Sequence, residues 1–218
     1  MSRRHDGGVK FADRADAGRV LARALRRFEW TDPLVLGLAR GGVPVAHEVA
    51  LALGAELDVA VARKIGAPGR PEFGVGAVTA DGEPIFDART LAYLGVSVAD
   101  LAGVVEEERR EARRRLAVYR AGRPVLAGRD VLVVDDGLAT GVTARAALRE
   151  ARQGDPRRLV LAVPVGAAEA VRDLSAVADL VVCPRERIDF RSVGRFYRRF
   201  DQTTDAEVLA LLEQHRHH

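Results

Sequence analysis

Six short apolar runs recur along the chain, at 34–39 (LVLGLA), 57–62 (LDVAVA), 75–78 (VGAV), 131–134 (VLVV), 159–163 (LVLAV) and 180–183 (LVVC). Patterns of helical period separate them, over about 14–28, 43–53, 97–120, 142–153, 167–177 and 204–215. Runs that are apolar on both faces and alternate with helices fit a parallel sheet, because each crossover must carry the chain back to the same end. The expected fold is therefore α/β, a mainly parallel twisted sheet flanked by helices. The 218 residues can bury about 70% of the surface of the unfolded chain. No linker divides them, so 1–218 is expected to be a single domain.

Composition removes several classes of function. Hydrophobic residues make up 48% and charged residues 30%, and no apolar run approaches the roughly 20 residues of a membrane span. The net charge is only +3, and the signs alternate in EEERREARRRL, as on a solvated helix face and unlike a nucleic-acid footprint. Neither a membrane nor nucleic acid is an expected partner. A single cysteine, Cys183, excludes an internal disulfide, and the absence of a basic-then-apolar leader makes a cytoplasmic location the expectation. Cys183 ends an apolar run and reads as a packing thiol. The terminal HRHH reads as a frayed tail instead of a metal tract.

Local signals place the element ends. Ser97 with Asp100 and Thr204 with Glu207 form capping boxes, and Gly154 is expected to close the helix before it. Segment 97–120 aligns Leu101, Val105, Ala112, Leu116 and Tyr119 on one face, with Glu106–Arg110 and Glu111–Arg115 at i,i+4 on another, and so predicts one long amphipathic helix. KIGAPGRPEFG at 64–74 matches neither period and is expected to be an exposed, mobile loop.

The chemistry concentrates in VLVVDDGLATGVTARAAL, residues 131–148. A buried strand delivers Asp135 and Asp136 to its carboxyl end, where parallel sheets bind ligands. Gly137, Ala139 and Gly141 let the backbone curl around an anion, and the N–H groups opening the next helix, with the Thr140 and Thr143 hydroxyls, can hold a phosphate. Carboxylates repel phosphate, so the acid pair must face another part of the ligand, one with hydroxyl donors or developing positive charge. A sugar phosphate with a vicinal diol meets both demands. A P-loop would need a lysine before Thr143, and a dinucleotide fingerprint needs glycines spaced differently from 137 and 141. A two-component receiver domain would need more chain after the acid pair.

Four apolar residues, two acids, three residues and Thr-Gly-x-Thr, from Val131 to Thr143, resemble the phosphoribosyl pyrophosphate (PRPP) signature of type I phosphoribosyltransferases. The resemblance implies that Asp135 and Asp136 bind the ribose hydroxyls and stabilise the cationic ribose, while Ala139, Thr140, Gly141, Val142 and Thr143 hold the 5-phosphate. It implies Mg²⁺ carried mainly by PRPP and water, with Asp135 and Asp136 as outer partners. It also implies a small-molecule acceptor, a homodimer, an inserted long helix within 84–124, and a hood over 184–218. In GLARGGVPVA, Arg40, Gly41 and Gly42 resemble the pyrophosphate loop, where a cis peptide is typical and Ala39–Arg40 is the candidate. Lys64 is one of only two lysines, and Arg63 with Lys64 resembles the start of the catalytic loop that folds over PRPP. In IDFRSVGRFYRRF, Phe190, Val193 and Gly194 resemble acceptor-binding hood residues; packing of these aromatics under the last helix is the alternative. Ala139 stands where 6-oxopurine enzymes carry a third acid, and Pro164 stands near their base-reading lysine. The later lysine and histidine of the orotate loop are absent from 64–74. The sequence therefore names no acceptor, and a PRPP- or nucleotide-binding regulator without transfer activity is the rival reading.

Overall fold

The protein, described from a computed structural model over residues 10–120 and 122–217, is organised around a five-stranded parallel sheet. Its strands are β1 (Leu34–Leu38), β2 (Glu56–Ala60), β6 (Asp130–Val134), β7 (Arg158–Ala162) and β9 (Leu180–Val182), in the order β2-β1-β6-β7-β9. Leu34 pairs with both Glu56 and Val131, and Val133 with Leu161, so the register brings the carboxyl ends of β1 and β6 together. Helices α2 (Gly42–Leu53) and α5 (Val142–Arg152) provide crossovers, and α6 (Ala168–Leu174) precedes β9.

Both faces of the sheet are covered, as its apolar runs require. Leu34, Leu36, Val131, Val133, Leu159 and Leu161 pack toward Ala144, Ala147 and Leu148 of α5. The alternate residues Val35, Leu132, Val134 and Val160 pack against Val45 and Val49 of α2 and against Leu21 and Leu25 of α1 (Arg14–Leu25). This side-to-side alternation is the two-residue period of a strand, and both sets find apolar partners. Helix α2 ends at Gly54 with φ 61°, a left-handed cap that glycine adopts without steric strain.

Between β2 and β6 the chain departs from the sequence reading. The expected loop at 64–74 is an antiparallel hairpin of β3 (Ala62–Ala67) and β4 (Arg70–Thr79), turning at Pro68-Gly69, with β5 (Ile85–Phe86) beside β4. Run 75–78 therefore belongs to a separate three-stranded sheet. The glycines that read as loop residues serve register shifts around Gly66, where a Cβ would sit 2.5 Å from the Pro71 carbonyl oxygen. The helix expected over 97–120 is present as α4 (Ala102–Tyr119), entered directly from a 3-10 turn at Ala99–Leu101, and a short helix the sequence reading lacked, α3 (Ala88–Leu94), precedes it. The Ser97–Asp100 box is present and caps that turn, with Asp100 Oδ2 accepting from the Ser97 N–H at 2.9 Å. On α4, Glu111 pairs with Arg114 and Arg115, whereas Glu106 faces Arg109 and not Arg110.

Three smaller differences follow the same pattern. Gly154 is not the left-handed residue after α5; Asp155, with φ 52°, takes that conformation, and Gly154 is needed because a Cβ would meet Leu126 at 2.7 Å. Two-stranded pairing of β8 (Val165–Ala167) with β10 (Arg185–Arg187) begins the C-terminal segment. Helix α7 (Asp205–Arg216) opens with the complete Thr204–Glu207 box and continues into the supposed frayed tail, where the His215 ring bonds the Ala55 carbonyl at 2.8 Å. His218 of HRHH and Ala121 of the expected insertion lie outside the described residues.

Candidate active site

Just past the last residue of strand β6, two adjacent aspartates share one environment. Asp135 Oδ1 accepts from the Asp136 N–H at 2.8 Å, and Asp136 Oδ2 accepts from Arg14 Nε at 2.8 Å. Burial, reinforced by the neighbouring Asp136, raises the Asp135 carboxyl well above its ordinary range. Burial also raises the Asp136 carboxyl, with Arg14 working in the opposite direction. Two partly buried carboxylates with a single nearby guanidinium, bonded to Asp136, leave negative charge uncompensated. Such a site suits a ligand that brings donors or positive charge.

The turn after the pair is held open. Leu138 is bonded to both ends of β8, its N–H donating to the Val165 carbonyl at 3.0 Å and its carbonyl accepting from the Ala167 N–H at 2.8 Å. Gly141, at φ 74°, turns the backbone into α5. Among the described residues, the N–H groups of Ala139, Thr140 and Gly141 reach no backbone acceptor, and those of Val142 and Thr143 open the helix. Ala139 and Thr140 are exposed. Free donors at a helix start, next to an acid pair that avoids anions, form a divided site: an anion seat on one side and a donor-accepting floor on the other.

The Arg40–Gly42 loop after β1 closes the other side. The Ala39–Arg40 peptide bond is cis, as the sequence reading has it. A Cβ on Gly41 would lie 2.3 Å from Asp136 Oδ2, and one on Gly42 would lie 2.5 Å from the Val134 carbonyl and 3.2 Å from Asp135 Oδ1. Only glycine lets this backbone press against both acids. The Arg40 guanidinium turns away from them, toward Asp205 of α7 at 3.4 Å.

The remaining sequence-derived residues are placed less directly. Arg63 is bound to Glu108 of α4 at 2.7 Å, which ties the hairpin to that helix. Lys64 is exposed, its stem running over Gly74. Phe190 stacks on Phe196 with ring centres 5.2 Å apart, Val193 fills the space beside Gly137, and Gly194 gives room to Phe200. These aromatics gather with Phe11, Ala17, Val165 and Tyr197, so their packing partners are the N-terminal segment and β8, not the last helix. Cys183 is half-buried just beyond β9, and burial pushes its thiol up to about 12, as suits a packing residue.

Two contributors were invisible in the motifs. Tyr197 donates its hydroxyl to the Asp136 carbonyl at 2.5 Å, and burial, then the Asp136 charge, raises that hydroxyl above its ordinary range. Arg14 reaches Asp136 from the first turn of α1, across 122 residues of sequence. One signal pointed to it: an arginine at a helix start opposes the helix dipole and calls for a partner elsewhere.

Among the described residues no group of three or more His, Cys, Asp and Glu could hold a metal ion alone. Asp135 and Asp136 each have one oxygen engaged by protein and another available, a donor set that fits Mg²⁺ held mainly by ligand phosphates and water. Among the described residues, no single helix is long and apolar enough to cross a membrane.

The phosphoribosyl transferase domain model matches residues 12–194, the span that holds the parallel sheet, the acid pair and the turn after it. The chain belongs to that family. Two curated proteins of Mycobacterium tuberculosis, from strains CDC 1551 and H37Rv, bear names that assign them to the phosphoribosyl transferases provisionally; each is 44% identical over 206 residues, 94% of this chain. The chain spans about half of their length, 46%. The crystal structure of TT1426 from Thermus thermophilus is 45% identical with a TM-score of 0.78, covering 94% of this chain and 98% of that one.

Proposed function

We propose that the protein transfers the 5-phosphoribosyl group of PRPP to a nitrogen of a small-molecule acceptor, releasing pyrophosphate. The observation that carries this reading is the adjacency, at one strand end, of two partly buried carboxylates and a turn of unbonded N–H groups. In this reading Ala139–Thr143 seat the 5-phosphate, and the free oxygens of Asp135 and Asp136 accept from the ribose diol. As the bond from C1 to the pyrophosphate oxygen breaks, the ribose gains positive charge, and the fixed carboxylates stabilise it most at that moment. The acceptor nitrogen then bonds C1 and gives up its proton. Backbone of Arg40–Gly42 lies beside the leaving pyrophosphate, and Mg²⁺, when bound, supplies positive charge to it.

The hairpin bearing Arg63 and Lys64 covers the reacting centre, which requires Arg63 to exchange Glu108 for the anionic ligand. Phe190, Val193 and Gly194 line the acceptor side. We read 84–124 as an insertion, 184–218 as a hood, and the working form as a cytoplasmic homodimer. Ala139 and Pro164 make a 6-oxopurine the less favoured acceptor.

The test is a panel of bases and amines incubated with Mg²⁺ and PRPP, read by pyrophosphate release. Release with a panel member, weakened about tenfold or more by Asp136→Asn, supports transfer. Tight PRPP binding without release by any panel member would favour a regulator, and no PRPP binding would overturn both transfer and a PRPP-binding regulator, leaving the nucleotide-binding form of the rival.

A further inference from the structure

The acid pair is reached from outside its own motif by Arg14, and the geometry around that side chain is more restrictive than an ion pair needs. Nε donates to Asp136 Oδ2 at 2.8 Å, Nη1 donates to the Asp201 carbonyl at 2.6 Å, and the guanidinium carbon lies 4.0 Å from the centre of the Phe200 ring. The arginine and aspartate side chains are only 13% and 14% exposed, so solvent does little to weaken the contact. Beside the pair, the Gly41 backbone closes the space next to Oδ2, where a methyl group would lie 2.3 Å from that oxygen and 3.4 Å from Arg14 Nε. Asp136 is held at its main chain as well, through the Tyr197 hydroxyl.

We propose that Arg14 is a positioning residue: by anchoring Asp136 Oδ2 it turns the remaining Oδ1, together with Asp135 Oδ2, toward the ribose diol, and it ties the aromatic C-terminal segment to that arrangement. This deepens the PRPP reading and rests on it. A buried aspartate beside another, with no anchor, would rotate away from its neighbour, because like charges at that separation repel strongly where water is scarce. Arginine suits the task and lysine only partly, since a planar fork can bind carboxylate and carbonyl at once while its face lies on an aromatic ring. The position of Arg14 supports the same conclusion. At the first turn of α1 its charge opposes the helix dipole, so α1 itself gives no reason for an arginine there.

The experiment compares wild type, Arg14→Gln, Arg14→Lys and, as a control on the same helix, Arg19→Gln, which removes an exposed pair with Glu48. Calorimetric titration with Mg²⁺-PRPP should show a loss of about 10- to 100-fold in affinity for Arg14→Gln, the range found when a group orienting a binding side chain is removed. Arg14→Lys should recover part of it, and Arg19→Gln should match wild type. If Arg14→Gln does not fold, Arg14→Lys alone carries the comparison, with a loss expected at unchanged melting temperature. Unchanged PRPP affinity in the folded Arg14 variants overturns the assignment, as does a loss explained by a fall in melting temperature alone. A wild type that binds no PRPP fails the ribose reading first. Amide NMR signals of Asp136, Gly137 and Asp201 then judge Arg14 by itself: displaced in Arg14→Lys but not in Arg19→Gln, they uphold the anchor, and unmoved, they overturn it.

Discussion

Strand β6 begins with a buried aspartate and is followed directly by two partly buried ones, and the two ends treat the charge oppositely. At the start, Asp130 is fully buried, yet its Oδ2 accepts from the Thr31 N–H, Arg157 and Arg158 at 2.9, 2.6 and 2.9 Å. Burial works against that charge, but these donors outweigh it and hold the carboxyl below its ordinary value. At the other end, Asp135 and Asp136 crowd together with Arg14 as their shared cation, and both carboxyls are raised. The Asp130 charge, with three donors on Oδ2 though none on the buried Oδ1, fastens the fold; the acid pair, with fewer donors for two carboxyls, keeps attraction for whatever binds. The same residue type thus serves stability at one end of a short strand and recognition at the other.

The comparison can be broken at either end. Asp130→Ala should destabilise the protein by about 2–3 kcal/mol in urea unfolding, less than the full penalty for a buried pair because the Arg157 side chain is 46% exposed. PRPP affinity of the folded fraction should not change. At the other end, Gly41→Ala forces a methyl group onto Asp136 Oδ2, and a loss of about tenfold in PRPP affinity is expected, measured by calorimetry with circular dichroism confirming the fold. Asp135→Asn sharpens the contrast through its sign. Removing one of two repelling charges should raise stability at pH 7 by about 1 kcal/mol while weakening PRPP binding, the trade expected at a strained functional site.

Acid titration gives the smallest and most graded effect. Because the folded Asp130 carboxyl lies below the ordinary 3.8, its stabilisation is fully present above that value and is lost as pH falls through the depressed one. Melting curves between about pH 5 and 2 should therefore be shallower for Asp130→Asn than for wild type. Equal slopes would mean that Asp130 contributes no pH-dependent stability.

What the sequence revealed depends on how far apart the cooperating residues lie. The acid pair, the turn and the start of α5 are contiguous, so their geometry follows from local steric rules and could be read from 131–143. The cis bond at Ala39–Arg40 was anticipated through the family resemblance of GLARGGVPVA and not from local sterics. Arg14 and Tyr197 meet Asp136 only because the fold brings three distant segments together, and no local pattern encodes that. Within the hairpin at 62–79, the run 75–78 was read as strand, but 64–74 was misread because Gly66, Pro71 and Gly74 carry the composition of a loop, while a ladder with register shifts uses them as strand residues. In 97–120 the apolar face was right, but the 3-10 turn at its start and the short helix before it lacked a periodic signal long enough to see.

Asp205, at the first turn of the last helix, accepts from the Tyr119 hydroxyl at 2.6 Å and faces the Arg40 guanidinium. One carboxylate is therefore a junction between the C-terminal end of α4, the beginning of α7 and the loop beside the acid pair. Helix α4, whose N-terminal half grips Arg63 through Glu108, is thus tied at one end to the hairpin and at the other, by way of Asp205, to the loop beside the acid pair. The long segment before β6 is thereby fastened to the core at two separated points.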